Sequence, residues 1–127
     1  MPSTNLLDQL QACPFFASLQ ETDLQLLLHY GKLNIFSEGK TVHNIGEQSM
    51  DMFFLILSGE IAIITGTGKV LQQMGRGDLV SDLDVSLLMN GKTGVIQAVR
   101  PTEIFVWYVG VIQKHLPVFM KRLMELT

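Results

Sequence analysis

The stretch Gly75-Arg76-Gly77-Asp78-Leu79-Val80-Ser81-Asp82-Leu83-Asp84-Val85-Ser86-Leu87-Leu88-Met89-Asn90-Gly91-Lys92-Thr93-Gly94-Val95 decides how the rest of the chain is read. It opens with a Gly-x-Gly-Asp turn, where glycine takes positive φ without penalty. From Ser81 to Leu88 the apolar residues fall at 83, 87 and 88, a spacing that predicts one or two turns of helix. Ser81 or Asp82 is placed to cap that segment, and the free N–H groups at such a start are a ready anion site. Lys92 stands at the mouth of the next strand, beside Thr93. A helix start, an acidic side chain and a cation in that order suit a small phosphate ester carrying a ribose hydroxyl.

On either side of this stretch the apolar period is two. Leu33 and Ile35, then Thr41, His43 and Ile45, alternate with polar neighbours. Met52 to Leu57 and Ile61 to Thr65 are rich in aromatic and β-branched residues and read as strands, with Gly59 between them predicting a tight hairpin. Val70 to Met74, Thr93 to Val99 and Glu103 to Val109 bring the expectation to some eight short strands. Glycines at 39, 46, 59, 66, 68, 75 and 77 punctuate them. Even spacing without crossover helices points to a β-sandwich or barrel, and the fold expected is an antiparallel β-roll or jelly-roll barrel.

The two ends read as helical. Leu6, Leu7 and Leu10 form one face of a first helix that Pro14 stops. Thr22 and Gln25 have capping-box spacing before Leu24, Leu27 and Leu28, and Gly31 follows the last turn. Ile112, Leu116, Phe119, Met120 and Leu123 make an apolar stripe near the C-terminus, broken into two helices by Pro117. The expected organisation is therefore a single domain over 1–127, with N-terminal helices in 1–31, a β-roll in 32–109 and C-terminal helices in 110–127.

The bulk composition narrows the classes. At 127 residues the chain has room for one domain with a real core. With 47% hydrophobic and 17% charged residues it is a compact globular chain and not a disordered one. The net charge is -3 and no basic patch is visible, so no nucleic-acid partner is expected. Cys13 is the only cysteine, so an internal disulfide is excluded, which fits a cytoplasmic setting. The apolar runs are too short to span a membrane, and the N-terminus has no signal-peptide pattern.

Three stretches together resemble cyclic nucleotide-binding domains, the modules of catabolite-activator-type regulators, cyclic-nucleotide-dependent kinases and gated channels. They are Cys13-Pro14-Phe15-Phe16 with Leu19, Gly46 through Ile61, and the opening stretch. The family's phosphate-binding cassette reads roughly Gly-Asp-x-x-Gly-Glu-apolar-small-apolar, then Arg-Ser/Thr/Ala-Ala about a dozen residues on. Laid on this chain without a gap, Gly77 and Asp78 match the entry turn. The cassette glycine falls on Ser81, the glutamate on Asp82, the arginine on Lys92 and the alanine on Gly94. The resemblance implies ligand contacts at Ser81, Asp82, Leu83, Lys92 and Thr93, cyclic AMP or cyclic GMP as ligand, and no cofactor. It also implies a dimer contact on the C-terminal helix, for which Phe119, Met120 and Leu123 are the candidates.

Each departure has a chemical consequence. Ser81 keeps the N–H but crowds the approach of a phosphate. The Asp82 carboxylate sits one methylene further back than a glutamate's. Lys92 supplies charge without the planar fork that grips two phosphate oxygens. The expectation is a stand-alone regulatory or sensor module that performs no catalysis, acting as a homodimer or on an effector protein in trans. Its cassette binds a cyclic nucleotide weakly, or the chain is a structural dimerisation module for a partner protein. A third reading, a cupin-like metal enzyme, would use His43 and Glu47, but the His-x-His of cupins is absent. No Ser-His-Asp or paired-carboxylate pattern stands out, so no catalytic residue and no metal site is expected.

Overall fold

The structure is a computed structural model and describes residues 8–10, 16, 19–45, 52–81, 85, 88–90 and 92–115. Residues 8–10 are helical. Helix α1 (Glu21–Tyr30) leads into β1 (Lys32–Phe36), β2 (Thr41–Ile45), β3 (Met52–Ser58) and β4 (Glu60–Thr65). The chain returns through β5 (Val70–Gly75), β6 (Leu79–Ser81), β7 (Gly94–Ala98) and β8 (Thr102–Tyr108) to helix α2 (Val109–His115). Every pairing is antiparallel: β1 with β8, β2 with β7, β3 with β6 and β8, β4 with β5 and β7. The pairs are those of a two-stranded ribbon folded at the β4–β5 turn and rolled up on itself.

Rolling divides the ribbon into two four-stranded sheets, ordered β1-β8-β3-β6 and β2-β7-β4-β5. This is the expected β-roll with flanking helices, but the sheets are not closed into a barrel. Each ends on its own edge strands, β1 and β6 in one, β2 and β5 in the other.

The expected hairpin at Gly59 is also corrected. Strands β3 and β4 lie in different sheets, so the chain turns a corner there instead of pairing with itself. Gly59 has φ of 91°, and a Cβ would stand 2.5 Å from the Pro101 carbonyl oxygen. The buried Thr102 hydroxyl holds the corner. It accepts the Glu60 N–H at 3.2 Å and lies 2.7 Å from the Arg100 carbonyl and 3.1 Å from that of Glu60, either of which can take its proton. A buried hydroxyl left unpaired would cost roughly 1–3 kcal/mol, so the corner and the residue are matched.

The continuous apolar run of β3 has a direct structural reading. All of Met52 to Leu57 is buried, because both faces of the strand are covered. Phe54 and Ile56 face the second sheet with Ile45, Ile61, Ile63, Ile96, Ile104 and Val106. Phe53, Leu55 and Leu57 face the other way, with Phe105 and Trp107, and are covered by Leu10, Phe16, Leu24, Leu27 and Ile112. The molecule is thus three layers: helices, first sheet, second sheet.

Helix α1 starts two residues earlier than the capping-box spacing predicts. Gln20 occupies the N-cap without a side-chain hydrogen bond, and its carbonyl accepts the Leu24 N–H at 3.1 Å. Thr22 lies inside the helix, so the Thr22–Gln25 box does not form; Glu21 and Asp23 in the first turn complement the helix dipole instead. Gly31 ends the helix as expected, but for a different reason. Its φ is -95°, a conformation open to any residue. A Cβ there would run into the Phe105 ring and the Trp107 indole.

Three substitutions test this packing by their stability in urea. Gly31→Ala costs about 2 kcal/mol or more, as overpacking does. Gly39→Ala meets nothing within 4 Å and carries only the strain of its φ of 85°, about 1 kcal/mol. Equal losses for the two would refute the packing reading of Gly31. Trp107→Phe removes the bond from the indole to Leu27 and part of the aromatic packing, and costs about 2 kcal/mol; a loss below about 0.5 kcal/mol would show that this contact does not hold α1.

Candidate functional site

Strand β5 ends at Gly75, and residues 76–78 turn the chain into β6. Gly77 has φ of 89°, which glycine accepts freely. Asp78 locks the turn: its Oδ2 accepts the Gly75 N–H at 2.9 Å, and its own N–H donates to the Gly75 carbonyl at 3.0 Å. The turn is stitched to β3 by Gly77 N–H to Ile56 O at 2.8 Å and Ile56 N–H to Asp78 O at 3.0 Å. A carboxylate engaged in this way positions the following strand. A concavity of about 440 Å³ lies beside it, lined by Gly59, Glu60, Gln73, Asp78 and Arg100 among others. Its charged groups are already matched, Arg100 Nε standing 3.3 Å from Glu60 Oε1 and Asp78 holding Gly75.

Strand β6, Leu79–Ser81, is not among the strands expected from the sequence, which places Ser81 at the start of the helical segment. Ser81 ends it, buried and opposite Phe53 of β3. Val85, Leu88 and Met89 are helical, in line with the predicted short helix. Val85 and Met89 drop into the core between the sheets, while Leu88 stays 44% exposed. Asn90 follows with φ of 54° and the Lys92 N–H returns to the Met89 carbonyl at 3.1 Å, which ends the helical turn. Asp82 and Leu83 lie outside the described residues, as do Phe119, Met120 and Leu123.

Two adjoining hollows result. One, of about 240 Å³, is walled by Leu79, Val80, Ser81, Val85 and Leu88 and faces Ile63, Gln72 and Met74 across the roll. The other, of about 410 Å³, is lined by Thr65, Gly66, Thr67 and Lys69 of the hairpin, by Lys92 and Thr93, and by Leu71, Leu88, Met89 and Asn90. Leu88 borders both. The predicted contact residues therefore do not converge on one point. Ser81 serves the first hollow, and Lys92 and Thr93, both exposed, serve the second.

The β4–β5 hairpin supplies the side chains that the sequence reading passed over. Gln72 pairs with Ile63 in register, which puts its amide on the concave face of the sheet. A polar residue at an inward position of a strand is a detectable signal, but only once the register is known. The turn from Thr65 to Lys69 was read as punctuation alone. The Gly66 N–H donates to the Thr93 carbonyl at 3.1 Å, which holds that turn against the end of the cassette stretch.

Gly94 marks a further departure. The cassette pattern has alanine there, but a Cβ on Gly94 would run into the Ile64 carbonyl and the Met89 methyl. Met89 fills the space that a methyl group would need. Among the described residues no group of three His, Cys, Asp or Glu side chains is placed to hold a metal ion. His43 is half-buried on β2, and Glu47 lies outside the described residues.

No protein-family model matches the sequence, and no curated protein matches it. Solved structures match its fold closely. A triple-substituted regulatory subunit of a cAMP-independent protein kinase A from Trypanosoma brucei, bound to cAMP in its A site, superposes with a TM-score of 0.74 at 18% identity, over 98% of this chain and 45% of that one. The corresponding subunit from Trypanosoma cruzi, bound to guanosine, gives 0.72 at 15% identity, over 94% of this chain and 43% of that one. The catabolite activator protein of Thermus thermophilus gives 0.67 at 23% identity, over 89% of this chain and 55% of that one. The chain spans under half the length of the kinase subunits it matches. Its fold is that of the cyclic nucleotide-binding domain.

Proposed function

We propose that this chain is a non-catalytic regulatory module that takes a nucleotide between β6, the helical turn after it and the β4–β5 hairpin. Cyclic AMP and cyclic GMP are the first candidates. The observation that carries the reading is the pair of hollows meeting at Leu88, formed by the stretch that aligns with a phosphate-binding cassette. Support also comes from the ligands of proteins sharing the fold: cAMP in the substituted Trypanosoma brucei subunit and guanosine in the Trypanosoma cruzi one. The proposed setting is cytoplasmic; among the described residues no helix is long and apolar enough to cross a membrane.

Lys92, Asp82 and Ser81 weaken the grip on a cyclic phosphate for the reasons given above, so the wild-type chain binds cyclic nucleotides weakly. A second reading has its own observation. Ser81 is buried in the wall and Met89 closes over Gly94, which favours a filled cassette serving a partner protein.

Calorimetry on the wild type and on Ser81→Gly, Asp82→Glu, Lys92→Arg combined separates the two. A hydrogen bond to a charged group is worth roughly 1.5–3 kcal/mol, and restoring two of them tightens cyclic AMP or cyclic GMP by at least ~100-fold. Lys92→Arg alone recovers less, because the three groups grip one ligand. A folded triple variant with wild-type affinity would mean a closed pocket and would favour the structural module. The C-terminal stripe belongs to the same proposal as a homodimer contact through Phe119, Met120 and Leu123. Sedimentation should show a dimer that Leu123→Asp converts to a monomer; a wild-type monomer at high micromolar concentration would remove the dimer from the account.

A further inference from the structure

Lys69 and Lys92 both line the hollow of about 410 Å³. The Lys69 backbone builds the β4–β5 turn: its N–H donates to Thr65 Oγ1 at 3.1 Å and its carbonyl accepts the Thr65 N–H at 2.9 Å. Thr65 and Thr67 bond each other through their hydroxyls at 2.9 Å. The side chain of Lys69 takes no part in these contacts. Among the described residues neither Lys69 nor Lys92 is paired with a carboxylate, and no described residue lining the hollow is acidic. The floor is apolar, made by Leu71, Leu88 and Met89.

We propose that Lys69 and Lys92 together form a two-cation phosphate site, and that its ligand is a nucleotide carrying a phosphate monoester in preference to a cyclic diester. This rests on the reading above that the cassette side of the roll takes a nucleotide. The argument is one of charge and shape. A cyclic phosphate is a diester with a single negative charge and is well served by one planar guanidinium fork. A monoester carries roughly -1.5 to -2 at pH 7 and offers three strong acceptor oxygens. Two ammonium groups, each a compact point charge with three donors, match the charge of that dianion without the fork. The replacement of the fork by Lys92 and the presence of Lys69 in the same hollow then form one change of ligand class. The apolar floor gives the base or ribose a surface, and the Thr93 hydroxyl adds a donor at the rim. The Gly66–Thr93 hydrogen bond ties the hairpin turn to the end of the cassette stretch.

The test is calorimetry at one low salt concentration with adenosine 5′-monophosphate, guanosine 5′-monophosphate, both cyclic nucleotides, adenosine and inorganic phosphate. The expected result is that a 5′-monophosphate binds about tenfold or more tighter than its cyclic counterpart and than inorganic phosphate. Lys69→Gln should weaken the monophosphate about tenfold and leave adenosine unchanged, while Lys69→Arg should retain most of the affinity. Because the turn is held by the backbone of Lys69, these exchanges leave the fold in place, which a urea curve confirms. Cyclic nucleotide binding that equals or exceeds the monophosphate, or a monophosphate affinity indifferent to Lys69→Gln, overturns this proposal and leaves the nucleotide module standing. No binding by any nucleotide overturns both. Inorganic phosphate binding as tightly as the nucleotides overturns the nucleotide as ligand.

Discussion

The indole N–H of Trp107 donates to the carbonyl of Leu27 at 2.7 Å, across 80 residues of sequence and in the absence of solvent. Among the described residues it is a buried polar contact that fixes helix α1 on the first sheet. The surrounding interface is apolar: Trp107 stacks on Phe53 at 5.2 Å and meets Phe105 edge-on at 5.1 Å and Phe16 at 5.8 Å. Hydrophobic burial of this kind supplies strength but little direction. The indole supplies direction, because an unpaired N–H at this depth would cost roughly 1–3 kcal/mol. The Leu27 carbonyl also accepts the Gly31 N–H at 3.0 Å, so one oxygen closes the helix and anchors it. Gly31 has to be glycine for the chain to pass over the two rings.

Covering the outer face of β3 and β8 makes these strands the middle layer of the molecule. Their inner faces then close on the second sheet, and the roll has a fixed interior. The helical turn of the candidate site is held by that interior, since Val85 and Met89 belong to the same apolar cluster as Ile63, Val80 and Ile96. Leu88, one residue before Met89, stays outside and separates the hollows. The β4–β5 turn reaches the other side of the site because it is the tip of the rolled ribbon. A ligand held there would touch residues from the two halves of the ribbon, one wall from the hairpin and one from the stretch between β6 and β7.

Much of the fold was legible because its signals are local. The unbroken run from Met52 to Leu57 marks a strand buried on both faces, and Gly39, Gly68 and Gly77 stand where positive φ is required. What depends on the partner of a strand was not legible. Ser58-Gly59-Glu60 has the composition of a hairpin turn, yet the buried Thr102 hydroxyl, distant in sequence, makes it a corner. Strand β6 has three residues and no pattern of its own; it exists because β3 offers it an edge. The same division applies to the site. Gly77, Asp78 and Lys92 were found by spacing along the chain, whereas Gln72 and Lys69 belong to it only through β4–β5 pairing and the Gly66–Thr93 bond.

The cassette stretch, the hairpin and the apolar scaffold border the candidate site, and the ligand proposed for it is a nucleotide. Amide chemical shifts of the whole protein during titration with cyclic and 5′-monophosphate nucleotides read this most directly. The account predicts shifts concentrated at the amides of Gly66 to Lys69, Ser81, Val85, Leu88 to Asn90 and Lys92 to Gly94, with the Trp107 indole proton unmoved. Shifts absent from these positions at millimolar nucleotide, or concentrated on α1 and β1, would contradict it.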